Sequence, residues 1–288
     1  MSNYKYRPHA FFIYTFVFTW IFWGISIFDS IFYPDHLGFA IFLSLGLFVP
    51  SVVAVLMVRR SKSQVLKQDF KEKLIRMKRI NFPNIFAGSV AFALVIFLSI
   101  LISLPFGGLT DQFSFVAGFS FSIAGSPTLI LLILTAILEE LGWKGYAEDA
   151  IADRTNWFNV SLIFGILWSL WHLPLVFIAD TYHSMILEMN VWYAVNFYVS
   201  IIPASFFFTW IYLKSNRSII PCIIVHFVFN ILQEEVAMTQ TTKCIETAVF
   251  CVLTAVIVLT NKEMFFGRSH IGNVMREITA DVSGRDRG

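Results

Sequence analysis

AILEELGWKGYAEDA, residues Ala136–Ala150, continues an apolar run that starts at Thr128 and carries no charge as far as Leu138. Two adjacent carboxylates, Glu139 and Glu140, then stand where a hydrocarbon-like segment would continue or end in Lys and Arg. The surrounding chain makes that placement costly. Of its 288 residues 57% are hydrophobic, 14% are charged and 32 are Phe, with a mean hydropathy of +0.71. Soluble domains carry roughly 25% charged residues, so this composition specifies an all-α, polytopic membrane bundle. The net charge of +2 argues against a nucleic-acid partner. The three cysteines, Cys222, Cys244 and Cys251, have no CxxC spacing and suit small apolar positions in helices better than a disulfide or zinc framework.

A membrane-spanning helix needs about 20 predominantly apolar residues. Eight segments qualify, at roughly 10–32, 37–58, 84–106, 127–144, 157–179, 191–213, 219–236 and 244–261. The fourth and seventh carry the most polar residues. The first follows Lys5 and Arg7 and is too long for the h-region of a signal peptide. With the N-terminus in the cytoplasm, 20 of the 21 Lys and Arg residues fall on or beside the cytoplasmic side, and Lys243 is the exception. That asymmetry is the usual orientation signal and supports an even number of spans, with both termini inside. The basic loop 59–83 contains SQVLKQDFKEKLIRMKR, in which Leu66, Phe70, Leu74 and Met77 recur at helical spacing. It reads either as an interfacial helix on an anionic leaflet or as a solvated loop that fixes topology. The last ten residues, TADVSGRDRG, read as a disordered tail.

Ionisable groups inside a span are expensive and mark function by default. The set here is small: Glu139 and Glu140 on the fourth span, His172 in ILWSLWHLPLVF, and His226 with Asn230 in PCIIVHFVFNIL. His226 and Asn230 are four residues apart and share a helix face, as do Trp168 and His172. Adjacent glutamates point about 100° apart. Glu140 can pair with Lys144 one turn on, which frees Glu139 for the interior. Glu234–Glu235 lies near the outer end of its span and reads as a solvated flank. Each polar residue alone could be glue between helices. Together, a carboxylate, two imidazoles and an amide on three spans form an acid–base set with hydrogen-bond donors.

Such a set can take a proton from water, return it to a leaving amine and hold an oxyanion, which is the inventory for peptide hydrolysis. No Gly-x-Ser-x-Gly, Ser–Lys pairing or HExxH is present to suggest a covalent nucleophile or a zincin. A zinc reading remains open, with His172, His226 and Glu139 as ligands and water in the fourth position. The expectation is no cofactor, because two His from different spans lack a common turn and Asn230 is a better oxyanion donor than metal ligand.

EELGWKGY resembles the EExxxR motif of the CPBP/Abi family, the CAAX-processing and bacteriocin-immunity intramembrane proteases. Trp168–His172 resembles its FxxxH motif and His226–Asn230 its HxxxN motif, in the family's order. The resemblance spans about 127–236, between an N-terminal membrane region (1–126) and a last span with its tail (237–288). It implies that Glu139 activates water with help from His172, that His226 and Asn230 bind the oxyanion, and that Glu140 is a supporting acid. The family's Arg is Lys144 here and its Phe is Trp168, which bears on specificity. The resulting expectation is a cell-membrane endopeptidase opening toward the cytoplasm, acting on a peptide, a bacteriocin or a membrane-protein segment within the lipid bilayer. The rival is a non-catalytic immunity or scaffold protein, and a transporter is disfavoured because no paired broken spans are visible.

Overall fold

A computed structural model describes residues 6–33, 38–76, 80–116 and 128–267. The chain is helical nearly throughout. Helices α1 (Pro8–Phe32) and α2 (Gly38–Arg60) form an antiparallel pair, and the short amphipathic α3 (Gln64–Ile75) precedes α4 (Phe82–Ser103). Next come α5 (Thr128–Gly142), a π-helical turn at Trp143–Ala147, α6 (Glu148–Ala152) and α7 (Trp157–Trp171). The bundle is completed by α8 (Tyr182–Met189), α9 (Val191–Lys214), α10 (Ile219–Glu235), α11 (Gln240–Thr260) and the short α12 (Lys262–Phe266).

Each of the eight expected spans coincides with a helix. Among the described residues, six of these helices are long and apolar enough to cross a membrane: α1, α2, α4, α7, α9 and α11. The other two, α5 and α10, have 15 and 17 residues and carry the polar groups. The π turn joins α5 to α6, so helical backbone runs unbroken from 128 to 152. The molecule is a helical membrane bundle, and its outer faces are apolar as lipid requires; Ile13, Phe28, Phe86, Leu94 and Val252 are all exposed.

One end of the bundle is basic. Arg59 and Arg60 close α2, and α3, Arg154, the 215–218 turn and α12 gather at the same end. α3 is a helix packed on the bundle and not a solvated loop. Ser63 caps it by accepting from the Leu66 amide at 3.2 Å, and Leu66, Asp69 and Lys73 are buried against the bundle. Arg217 forms a bidentate pair with Asp69 at 3.0 and 2.8 Å and also binds Asp149, which Lys73 reaches as well. Burial disfavours the Asp69 carboxylate, but Arg217 and Lys73 outweigh that cost and hold its carboxyl well below the ordinary range. Asn216 and Arg217 both adopt left-handed backbone, at φ 50° and 61°. That costly conformation is sustained by the carboxylates that grip the Arg217 side chain. The expected C-terminal tail lies outside the described residues.

The charge asymmetry makes a testable expectation. In a cysteine-free background, thiol reagents that do not cross membranes should label Leu109→Cys from outside. Lys71→Cys and Asn216→Cys, both exposed at the basic end, should react only after the cytoplasmic face is opened. Outside labelling of residue 71 would reverse the orientation.

Candidate active site

The two glycines of EELGWKGY let this segment pack closely on its neighbours. A Cβ on Gly142 would meet Pro50 of α2 at 2.6 Å, and one on Gly145 would meet the Phe70 ring at 2.9 Å. α5 therefore sits directly against α2, and the π turn that follows it sits against α3. The π turn follows at once, a feature that recurs at functional sites. It faces the Trp143 indole back toward Glu139, four residues earlier.

Glu139 is buried, and its Oε2 accepts from two indoles: Trp143 Nε1 at 3.2 Å and Trp168 Nε1 at 2.8 Å. Trp168 thus donates directly to the carboxylate as well as lining the cavity. It stacks on Phe164 at 5.5 Å, and its ring lies 5.9 Å from both His172 and His226. His172 caps α7. Its Nδ1–H donates to the Trp168 carbonyl at 2.8 Å. A carbonyl only accepts, so the neutral ring carries its lone pair on Nε2.

His226, also buried, meets Glu140 Oε1 through Nδ1 at 2.9 Å. This corrects the expected pairing of Glu140 with Lys144. Lys144 instead binds Glu148 one turn further on and lies 5.2 Å from the centre of the Phe164 ring. Glu148 in turn accepts from Thr209 of α9. The π turn explains the difference, because it advances Lys144 away from Glu140 and toward α9. Glu139 and Glu140 do point apart as expected, one toward the indoles and the other toward His226.

Glu139, Trp168, His172, His226 and Asn230 all line one cavity of about 220 Å³. Glu140 and Lys144 do not line it; they lie behind its wall. The cavity extends away from the basic end, toward Tyr182, Gln240 and Lys243. Those groups are joined to the 104–116 end of the bundle through Gln112, whose Oε1 accepts from the Thr239 amide at 3.0 Å and from the Thr242 hydroxyl at 2.6 Å. The polar lining beyond the candidate residues thus lies at the end away from the basic loops, whereas the expected opening was toward the cytoplasm. Glu234, read as a solvated flank, is half-buried in the same wall.

Sequence reasoning missed Trp143 as a carboxylate donor and Glu148 as the partner of Lys144. Trp at i+4 from a carboxylate was a signal for the first. Glu148 lies beyond the end of the expected fourth span, and the helical path through the π turn buries it. Lys144→Arg is expected to leave activity within about 3-fold, because an Arg reaches Glu148 from the same turn. Lys144→Ala leaves Glu148 buried without its cation and should cost about 3 kcal/mol of stability, read as a lower unfolding midpoint in detergent. An unchanged midpoint would make Lys144 a topology charge only.

Among the described residues, no three His, Cys, Asp or Glu side chains converge as a metal-binding group. Glu139 Oε2 is taken by two N–H donors, and His226 turns one nitrogen to Glu140. The alternative zinc set His172, His226 and Glu139 is not among such groups, and these hydrogen bonds are the ones a metal-free acid–base site would use.

Comparison with known proteins bears directly on this site. The family described as "Type II CAAX prenyl endopeptidase Rce1-like" matches residues 125–232, the segment that holds every candidate residue. The protein is 44% identical over 267 residues to CAAX prenyl protease 2 of Methanococcus maripaludis, covering 92% of this chain and 98% of that relative. Lysostaphin resistance protein A of Staphylococcus haemolyticus is 24% identical over 124 residues, covering 43% of this chain and 32% of that protein. Near-full-length similarity at that level, with the matched segment centred on the buried acid–base cavity, places this chain in the CAAX prenyl protease family of intramembrane endopeptidases.

Proposed function

We propose that the chain hydrolyses a peptide bond near the C-terminus of a membrane-associated substrate, using water activated by Glu139 and no metal. The observation that carries this reading is the convergence of Glu139, His172, His226 and Asn230 on one cavity within an apolar bundle. The two indoles donate to Glu139 Oε2, which leaves Oε1 to accept a proton from water. The water oxygen attacks the scissile carbonyl carbon as its proton passes to Glu139. The charge that builds on the carbonyl oxygen is met by the Asn230 amide N–H and by His226, whose Nε2–H is the donor when the ring is protonated against Glu140. The C–N bond then breaks, and Glu139 returns the proton to the departing amine. His172 Nε2 orients the attacking water. Glu140 acts through His226 and never touches the substrate.

The name of the archaeal relative points to a prenylated substrate ending in a CAAX sequence, a cysteine followed by three residues. The substrate class we favour is accordingly a peptide or protein C-terminus anchored in the bilayer. We further propose that the basic end faces the cytoplasm, with both termini on that side. The polar end of the cavity then lies in the outer half of the membrane, and the substrate reaches it through the bilayer.

The metal-free reading is checked by stripping detergent-purified protein with a strong chelator and measuring peptide cleavage alongside elemental content. Full activity is expected at well under one zinc per chain. Activity lost on stripping and restored by zinc would make His172 and His226 ligands and overturn the mechanism.

A further inference from the structure

Lys243 is the one cation that breaks the charge asymmetry of the sequence, and among the described residues it stands apart from the Lys and Arg of the basic end. It also lines the cavity that holds Glu139, His172 and His226. Its Nζ donates to the Gln233 carbonyl at 3.2 Å and lies 5.1 Å from the centre of the Tyr182 ring. Among the described residues it forms no salt bridge, in contrast to Lys73, Lys144 and Arg217, each of which is neutralised by a carboxylate. Two acids share the wall. Glu246 is held by Gln233 Nε2 at 2.6 Å, and Glu234 stands near the end of α10. Glu246 lies one turn from Lys243 on α11 and both contact Gln233, so the carboxylate nearest Lys243 is tied to the Gln233 side chain and the ammonium keeps donor capacity toward the cavity.

We propose that Lys243 binds the free C-terminal carboxylate of the substrate and so fixes which bond is cut. The proposal rests on the reading of this cavity as a peptidase site. The spacing supports it. Gln233, which Lys243 touches, lies seven residues beyond His226 on α10, or about 10 Å along the axis at 1.5 Å per residue. An extended peptide covers about 3.3–3.6 Å per residue, so about three residues fit between the cleaved bond and the terminal carboxylate. Three residues also follow the cysteine of a CAAX sequence. The aromatic and aliphatic lining between the two points, Phe197, Ile201 and Phe229 among them, suits apolar side chains.

The test uses a quenched peptide with a farnesylated cysteine three residues from its end, made as the free acid and as the C-terminal amide. Detergent-solubilised protein exposes both faces, so orientation does not enter. For the unmodified protein, amidation should lower kcat/KM by about 10-fold or more, chiefly through KM, since a charge-assisted contact is lost. In Lys243→Met the acid and the amide should be cleaved alike within about 2-fold, and Lys243→Arg should restore the preference for the acid. A purely structural role for Lys243 would instead depress both substrates together and keep the preference. Equal cleavage of acid and amide by the unmodified protein, or a preference that survives Lys243→Met, would overturn the proposal. Binding of both peptides to Glu139→Gln gives a readout independent of turnover. Tighter binding of the acid there, with no cleavage by the unmodified protein, would sink the peptidase reading and leave the carboxylate site standing. Equal binding would remove the carboxylate site whatever the cleavage result.

Discussion

Glu139→Gln is expected to lower turnover at least ~100-fold, the lower end of a general base's contribution, while the protein still folds. The substitution keeps the shape of the side chain, and its amide oxygen can still accept from Trp143 and Trp168, so the packing of two buried indoles is preserved. What disappears is the ability to hold the proton taken from water. Substrate affinity should change little, so the loss appears in kcat. Glu140→Gln should be milder, because that residue acts on the reaction through His226. Glu139→Gln with near-normal turnover would remove Glu139 from the chemistry.

The second large effect is on stability. Asp149→Asn is expected to cost about 4–5 kcal/mol, the upper part of the range for removing one partner from a buried ion pair. The upper part applies because Asp149 serves Lys73, Arg217 and the Tyr212 hydroxyl at once, in a site closed to solvent. Removing its charge loosens α3 and the 215–218 turn from α6 together. Thermal unfolding in detergent reads the loss, and an unshifted midpoint would mean that the cluster contributes nothing. The same cluster predicts a pH dependence. The Asp69 carboxyl is depressed in the folded state, so its stabilisation is complete above the ordinary carboxylate value near 4 and fades as pH falls below it. Asp69→Asn should flatten the acid limb of the stability curve.

Much of the architecture was legible in the sequence because lipid imposes it. A run of apolar residues long enough to cross has few alternatives to a helix, and the eight segments all appear as helices. The polar residues of the cavity were legible for the same reason: Glu139, His172, His226 and Asn230 stand out against hydrocarbon. Their partners were harder to read. Hydrogen bonding to Trp143 and Trp168 depends on indole orientation, which helical spacing alone does not determine. The pairing of Glu140 with His226 required the relative rotation of α5 and α10. The exchange of Lys144 from Glu140 to Glu148 follows from a π turn that no residue pattern announced. The role of the basic segment 63–76 was hidden for another reason. Its anchors, Asp149 and Arg217, lie about 70 to 150 residues away and look like loop charges until the fold buries them. That the cavity lining reaches toward Tyr182, Gln240 and Lys243, away from the basic loops, depends on how the helices pack and is not visible in any one segment.

The account's central claim is that water attacks the peptide directly, with Glu139 as its base and no covalent intermediate. The most direct measurement is the intact mass of the protein, quenched within the first turnover of the farnesylated peptide in ¹⁸O-water and examined together with the released fragment. The account predicts unmodified protein throughout and one ¹⁸O atom in the new carboxylate from the earliest time point. Protein carrying the added mass of the acyl fragment, building before product appears, would contradict it.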